Sequence, residues 1–509
     1  MRPVRLLLVP LASLGLLAGA LVGVTTPAAT AAPGDRGTIT WHDCDPDADL
    51  DGFECGTLTV PLDWDDLDNP ANAEIELAIH RATSDRRIGA FTSNPGGPGE
   101  AGLAIANLVL EMLPAKVRNR FDFVAWDPRG VGLSQPQLSG CVNAAAVQSQ
   151  AQQVYNPPLT GPVDWVAYTE SVYDATAEQL TACLDANPDV APYLGTYYVI
   201  RDLDAMRAAL GEEQWNFWGM SYGTRIGYRY AREFPDRLRT LVLDGSWSPN
   251  LTVTSWMNGA TWNYGTAQAV FSSQFGKKMG YRFQRVIEGL DERTITIDGQ
   301  EISRWVVLPQ IFTNISYQNA YPQILGVISE AYRALYAPTA KKRSAAARKM
   351  LKPLNELRAY NPSSAFNINF INCRDMADYP TVAEIARAAT VSNANNSVMA
   401  GSVAMTKGSH CAGLPQDFTY GYTPLTESLR LPIKPVVINS LGDTRTEYDF
   451  GRTMANYLWD SSLITYDSTQ HVTYRSTPSK CVNNPVTAYF LDQTAPGWLL
   501  CPYAPLPSS

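Results

Sequence analysis

A chain of 509 residues, 45% of them apolar, is long enough for a large core built as one elaborated domain or several. A formal charge of −9 without an extended basic run makes nucleic acid a poor partner, since a phosphate backbone demands clustered Lys and Arg. Eight cysteines, none spaced as C-x-x-C, favour the disulfides of an exported protein over a zinc site.

Arg2 and Arg5 precede an apolar run from Leu6 to Val24, followed by the small residues Ala28-Ala29-Thr30-Ala31-Ala32. This reads as a secretory signal over 1–31 with cleavage near Ala31 or Ala32. No later stretch is apolar and long enough to span a bilayer, so a secreted protein without stable membrane association is expected. Gly56 to Trp64 and Ala73 to Ala82 read as strands; in the second, Ile75, Leu77 and Ile79 alternate with polar neighbours. Three short apolar runs then end in glycine-rich turns: Ala90 to Ser93 before "NPGGPGEAG", Phe121 to Trp126 before "DPRGVGLSQP", and Trp215 to Trp218 before "GMSYGT". Helical segments such as Tyr198 to Leu210 separate them, which predicts a mostly parallel sheet covered on both faces. Leu241 to Leu243 is a further strand. From 250 to 420 the βα alternation stops and aromatic helices follow, the pattern of a cap inserted into a core whose two parts are 32–249 and 421–509. Alternation resumes at Lys434 to Ile438 and Ser462 to Tyr466.

Gly219-Met220-Ser221-Tyr222-Gly223 lies between a predicted strand and an amphipathic helix from Arg225 to Phe234. Glycines on both flanks allow the tight turn that lifts a nucleophilic serine above an α/β-hydrolase sheet. Such a serine needs a base, an orienting carboxylate and oxyanion donors, and on this fold the chain order is serine, acid, histidine. Of four histidines, His42 and His80 precede Ser221 and His410 adjoins Cys411 in the predicted cap, leaving His471 as base. Asp443, after "PVVIN" and a glycine turn, is the expected acid, with Asp449, Asp460 and Asp467 as rivals. The amides of Tyr222 and Gly97, the latter in "PGGPG", are the expected oxyanion donors. Asp127 and Arg129 are expected to form a structural pair beside that loop. Cysteine connectivity is open in the sequence. Neighbour pairing is expected, Cys44 with Cys55, Cys141 with Cys183, Cys373 with Cys411 and Cys481 with Cys501, each closure contributing about 3 kcal/mol.

"NPGGPG", "WDPRGVGLS", "GMSYGT", "LDG", Asp443 and His471, together with the ends "CGTLTVPLDW" and "CVNNPVTAYFLDQTAPGWLLC", resemble secreted bacterial tripeptidyl aminopeptidases, relatives of proline iminopeptidase. The resemblance covers nearly the whole mature chain. It implies an α/β-hydrolase core with a helical cap, no cofactor, and release of short peptides from free N-termini of peptides or proteins. Gln470 and Val472 stand where relatives commonly flank the histidine with glycines, Glu447 where proline is usual, and Glu100 where a small residue is usual. An aminopeptidase must also pair the substrate ammonium with a carboxylate. Asp375, at an acidic position typical of the family, is the first candidate; Glu100 and Glu447 are the second. An esterase or amidase acting on uncharged acyl groups, and a non-catalytic binding protein on the same scaffold, are the competing expectations.

Overall fold

The computed structural model describes residues 37–141, 144–359, 367–422, 424–425 and 427–507; the predicted signal segment lies outside them. Ten strands form one sheet: β1 (Thr38–His42), β2 (Glu54–Pro61), β3 (Asn72–His80), β4 (Gly89–Asn94), β5 (Phe121–Trp126), β6 (Trp215–Met220), β7 (Leu238–Asp244) and, past a small hairpin of β8 (Ile295–Ile297) and β9 (Gln300–Ile302), β10 (Val436–Ser440), β11 (Ser462–Tyr466) and β12 (Leu499–Cys501). Their order is β1-β2-β3-β5-β4-β6-β7-β10-β11-β12. Pairing is antiparallel from β1 to β5 and parallel from there to β12.

Burial explains the two kinds of strand. Every residue of β4, β5, β6, β10 and β11 is buried, because helices cover both faces; of the polar side chains among them, Thr92 donates to the Val124 carbonyl and Asn216 to the Ala90 carbonyl. In β2 and β3 burial alternates, as a half-covered antiparallel ribbon requires. The expected α/β core with a mostly parallel sheet is therefore the observed one. The exposed β1, the three-residue β12 and the hairpin carry too little pattern to be read from sequence.

A helical layer has its own apolar core, in which Phe271, Phe283, Ile311, Phe312 and Val327 meet Trp165, Tyr168 and Val172. Its boundaries differ from the expected 250–420 in two ways. Helix Trp165–Ala186, inserted between β5 and β6, packs on Val382–Asn395 and belongs to the layer. Conversely Phe370, Cys373, Met376, Cys411, Leu414 and Phe418 pack into the core beside the sheet. An apolar helix face can be read from sequence, but what covers it is decided by tertiary packing.

Disulfides join Cys44 to Cys55, Cys141 to Cys183, Cys373 to Cys411 and Cys481 to Cys501. Among the described residues, no helix is long and apolar enough to cross a membrane, and no group of three or more His, Cys, Asp or Glu is placed to hold a metal ion.

Candidate active site

Ser221 stands between β6 and helix Gly223–Glu233 with φ 54°, the left-handed region that a side chain other than glycine occupies only under local constraint. The constraint is backbone crowding. A Cβ on Gly219 would come within 2.4 Å of the Gly223 carbonyl oxygen, and one on Gly223 within 2.3 Å of the Asn94 carbonyl oxygen. The Ser221 amide donates to the Asp244 carbonyl at 2.9 Å, tying the turn to the end of β7. The loop after β4 closes over the same point: a Cβ on Gly96 would stand 2.8 Å from the Tyr222 nitrogen.

His471 presents Nδ1 to Asp443 Oδ2 at 2.8 Å, and the Asp443 side chain is wholly buried. Oδ1 of Asp443 accepts the amides of Arg445 at 2.8 Å and Thr446 at 3.2 Å, while the Thr446 hydroxyl donates to Oδ2 at 2.9 Å. An acceptor so fully engaged has one orientation, which fixes the imidazole with Nε2 turned away from Asp443. Asp244 braces the histidine loop from below, its two oxygens accepting the Thr473 and Tyr474 amides at 2.8 Å each. Burial pushes the Asp244 carboxyl up to about 6, against the lowering effect of those two bonds. Asp449 and Asp460 are surface carboxylates paired with Arg452 and Lys434, and His410 is buried against Asn372.

Two cavities meet at Ser221 and Gly97. The larger, of 520 Å³, is lined by His471, Glu100, Tyr317 and the apolar Leu108 and Met112. The smaller, of 230 Å³, is walled by Trp247, Trp256, Tyr264 and Phe312, with Lys407 and Arg445. The structure thus brings together Ser221, Gly97, Glu100 and His471, with Asp443 behind His471 and the Tyr222 backbone beside the loop.

Two of the three expected ammonium ligands lie elsewhere. Asp375 is 4% exposed and lines neither cavity. Its oxygens accept the Thr196 amide at 2.9 Å, the Thr196 hydroxyl and the Tyr222 hydroxyl at 2.6 Å, so it anchors the nucleophile turn to the core. Glu447 is likewise turned inward: its carboxylate pairs with Lys407 at 3.2 Å and packs so close to helix Val253–Phe275 that a Cβ on Gly259 would be 2.2 Å from Oε2. Burial pushes its pKa up, opposed by Lys407. A motif match gives a position along the chain and not the direction of burial. Asp127 and Arg129 also part company. Asp127 accepts the Leu103 and Leu133 amides at 2.9 Å each, and Arg129 pairs with Asp202 at 2.7 Å, both side chains wholly buried. Sequence reasoning missed Lys407 and Arg445. Arg445, two residues beyond the acid, was within reach of such reasoning; Lys407 sits in a helix without any chemical motif.

A family described as alpha/beta hydrolase fold matches residues 93–348, and one described as TAP-like protein matches residues 396–498. Serine protease Hip1 of Mycobacterium tuberculosis (strain ATCC 25618 / H37Rv) is 30% identical over 478 residues, covering 87% of this chain and 86% of its own. Tripeptidyl aminopeptidase of Streptomyces lividans is 35% identical over 239 residues, covering 44% of this chain and 41% of its own. Carboxylesterase B of the same Mycobacterium tuberculosis strain is 27% identical over 533 residues, covering 96% of both chains. With its sheet, its turn at Ser221 and these relatives, the chain belongs to the α/β-hydrolase family with a TAP-like carboxy-terminal region, and is a serine hydrolase.

Proposed function

We propose that this serine hydrolase is a secreted exopeptidase that releases short peptides, tripeptides foremost, from the free N-termini of peptides and proteins. Ser221 attacks the scissile carbonyl while His471 takes its proton, and Asp443 stabilises the imidazolium. The amides of Gly97 and Tyr222 receive the oxyanion. His471 then protonates the departing amine, and water, activated by the same histidine, releases the acyl group from Ser221.

One observation carries this choice of substrate: the 520 Å³ cavity that begins at Ser221 has Glu100 as the single carboxylate among its lining residues. That volume holds a peptide of a few residues, and Glu100 can pair with its ammonium group. Peptidases among the relatives support the same choice. Four disulfides suit an oxidising compartment outside the cell, as does the predicted signal segment. The apolar wall of Leu108, Val109 and Met112, with the full-length likeness to a carboxylesterase, favours a second reading, an esterase or amidase taking an uncharged acyl group.

The deciding experiment measures anilide release from a free tripeptide, its N-acetylated twin and a single-residue analogue, with wild type and Ser221→Ala. Release from the free tripeptide alone, abolished by the substitution, is the expected result. Equal rates on the free and acetylated substrates would replace the exopeptidase with the esterase or amidase.

A further inference from the structure

The two cavities differ in their carboxylates. Glu100 lines the larger together with Arg445 and Arg475, whereas among the described residues Lys407 and Arg445 are the charged groups lining the smaller and no carboxylate does. Lys407 is neutralised from behind by Glu447, which does not reach the cavity. Arg445 has no such partner: no carboxylate lies within ion-pairing distance of its guanidinium among the described residues, its Nε is buried without a hydrogen bond, and Nη2 reaches only the Thr313 carbonyl at 3.5 Å. It lies over the Tyr317 ring at 5.2 Å, at the point where both cavities open on Ser221. A guanidinium with an unsatisfied buried donor is costly, and a carboxylate, with two oxygens set to match the guanidinium fork, is the group that satisfies it best.

We propose that the small cavity is a subsite for a carboxylate carried by a residue next to the scissile bond, held by Arg445 with Lys407, so that the enzyme favours Asp or Glu there. This rests on the peptidase reading above and adds the substrate class. The size fits: 230 Å³ with aromatic walls takes one side chain and not a peptide. The polarity fits as well: Lys407 and Arg445 repel an ammonium group in the small cavity, whereas in the larger one, which Arg445 and Arg475 also line, Glu100 is present to pair with it. Glu447 gives Lys407 its counter-charge and sets how much of its field reaches the ligand.

Two peptide series and one ester pair test the subsite. The first series is Ala-Ala-Xaa p-nitroanilides and the second Ala-Ala-Ala-Yaa amides, with Glu, Gln, Asp, Asn and Lys at the varied position; they place the carboxylate on the acyl side or on the leaving side. In one series the acid should exceed its own amide in kcat/KM by about tenfold or more, with Lys slowest. Arg445→Gln and Lys407→Met should each collapse the acid-to-amide ratio towards about one, and Glu447→Gln should raise it. The ratio is internal to each variant, so a partly folded preparation does not distort it. Equal rates for Glu and Gln in both series would overturn the subsite while leaving the peptidase intact. If peptides are not cut, the peptidase reading falls, and p-nitrophenyl hemiglutarate against p-nitrophenyl pentanoate decides the subsite: preference for the hemiglutarate, lost in Arg445→Gln, sustains it, and equal rates overturn it.

Discussion

Around Ser221 backbone meets backbone. A methyl group at Gly219 or Gly223 would collide with a carbonyl oxygen, the Ser221 amide donates to the Asp244 carbonyl, and the Asp244 carboxylate accepts the Thr473 and Tyr474 amides. The helical layer reaches the same place differently, through the outer ends of Tyr264, Phe312, Tyr317 and Lys407 on separate helices or loops. A site made of main chain cannot drift without losing the fold, whereas side-chain ends change one residue at a time. We therefore expect catalysis to depend on the carboxyl ends of the central strands, and the ranking of substrates to depend largely on the layer facing them.

The largest expected effect tests the first half of that contrast. Asp443→Asn should lower kcat/KM by about 10⁴-fold, because an amide cannot stabilise the imidazolium or fix the same tautomer. Phe312→Ala, which opens the small cavity, should alter the ranking of substrates far more than the rate on the best of them. A comparable collapse in Phe312→Ala would break the division between the two regions.

Next comes stability of the layer itself. Phe283 is wholly buried, its ring 5.5 Å from that of Phe312 and 6.1 Å from that of Phe271. Phe283→Ala should cost about 3–5 kcal/mol in urea unfolding. The rate at which a fluorophosphonate labels Ser221 in the folded fraction should change much less. Equal loss of labelling would mean that the strand ends depend on the layer for their geometry.

The sheet side also has a pH signature. Burial lifts Asp244 from its ordinary 3.8 to about 6, so the folded protein retains a proton that the unfolded chain has already released. Its contribution to stability is complete below about pH 4 and is lost as pH rises through 6, a change of about 3 kcal/mol. Asp244→Asn does not titrate. Wild-type stability minus that of the variant, from urea unfolding, should shrink by about that amount between pH 4 and pH 7. A difference that grew with pH would show that the Thr473 and Tyr474 amides favour the carboxylate more than burial disfavours it.

The same division decides what could be read in advance. β5 and β6 are mostly apolar and β4 begins so, each ending in a glycine-rich turn, so the sheet and the position of Ser221 follow from local pattern. His471 was accessible by elimination among four histidines, and its 2.8 Å contact with Asp443 joins residues 28 apart. Asp375 was misplaced because its matching position says nothing of the Thr196 and Tyr222 groups that consume its oxygens. Helix Trp165–Ala186 showed an apolar face without saying that Val382–Asn395 would cover it. Lys407 has no sequence signal, since its pairing with Glu447 and its place at a cavity opening on Ser221 arise only on folding.

The smallest expected effect separates two carboxylates that the sequence offers for the ammonium group, Asp375 first and Glu100 second. Glu100 lies in the loop after β4, folded back so that its Cγ would lie 2.9 Å from a Cβ on Gly97, and is exposed at the larger cavity. Asp375 is interior and fully hydrogen-bonded. Glu100→Gln should reduce the preference for a free over an acetylated tripeptide by about tenfold, the loss of one charge-assisted contact at a partly exposed site, with little change in stability. Asp375→Asn should leave that preference as it is and cost about 1–3 kcal/mol of stability, because the Thr196 and Tyr222 hydroxyls, which both donate to Oδ2, lose that acceptor. The opposite pattern, preference lost with Asp375 and kept with Glu100, would mean that the nucleophile turn opens to expose Asp375 when substrate binds, and would transfer part of the selection from the mouth of the cavity to the core.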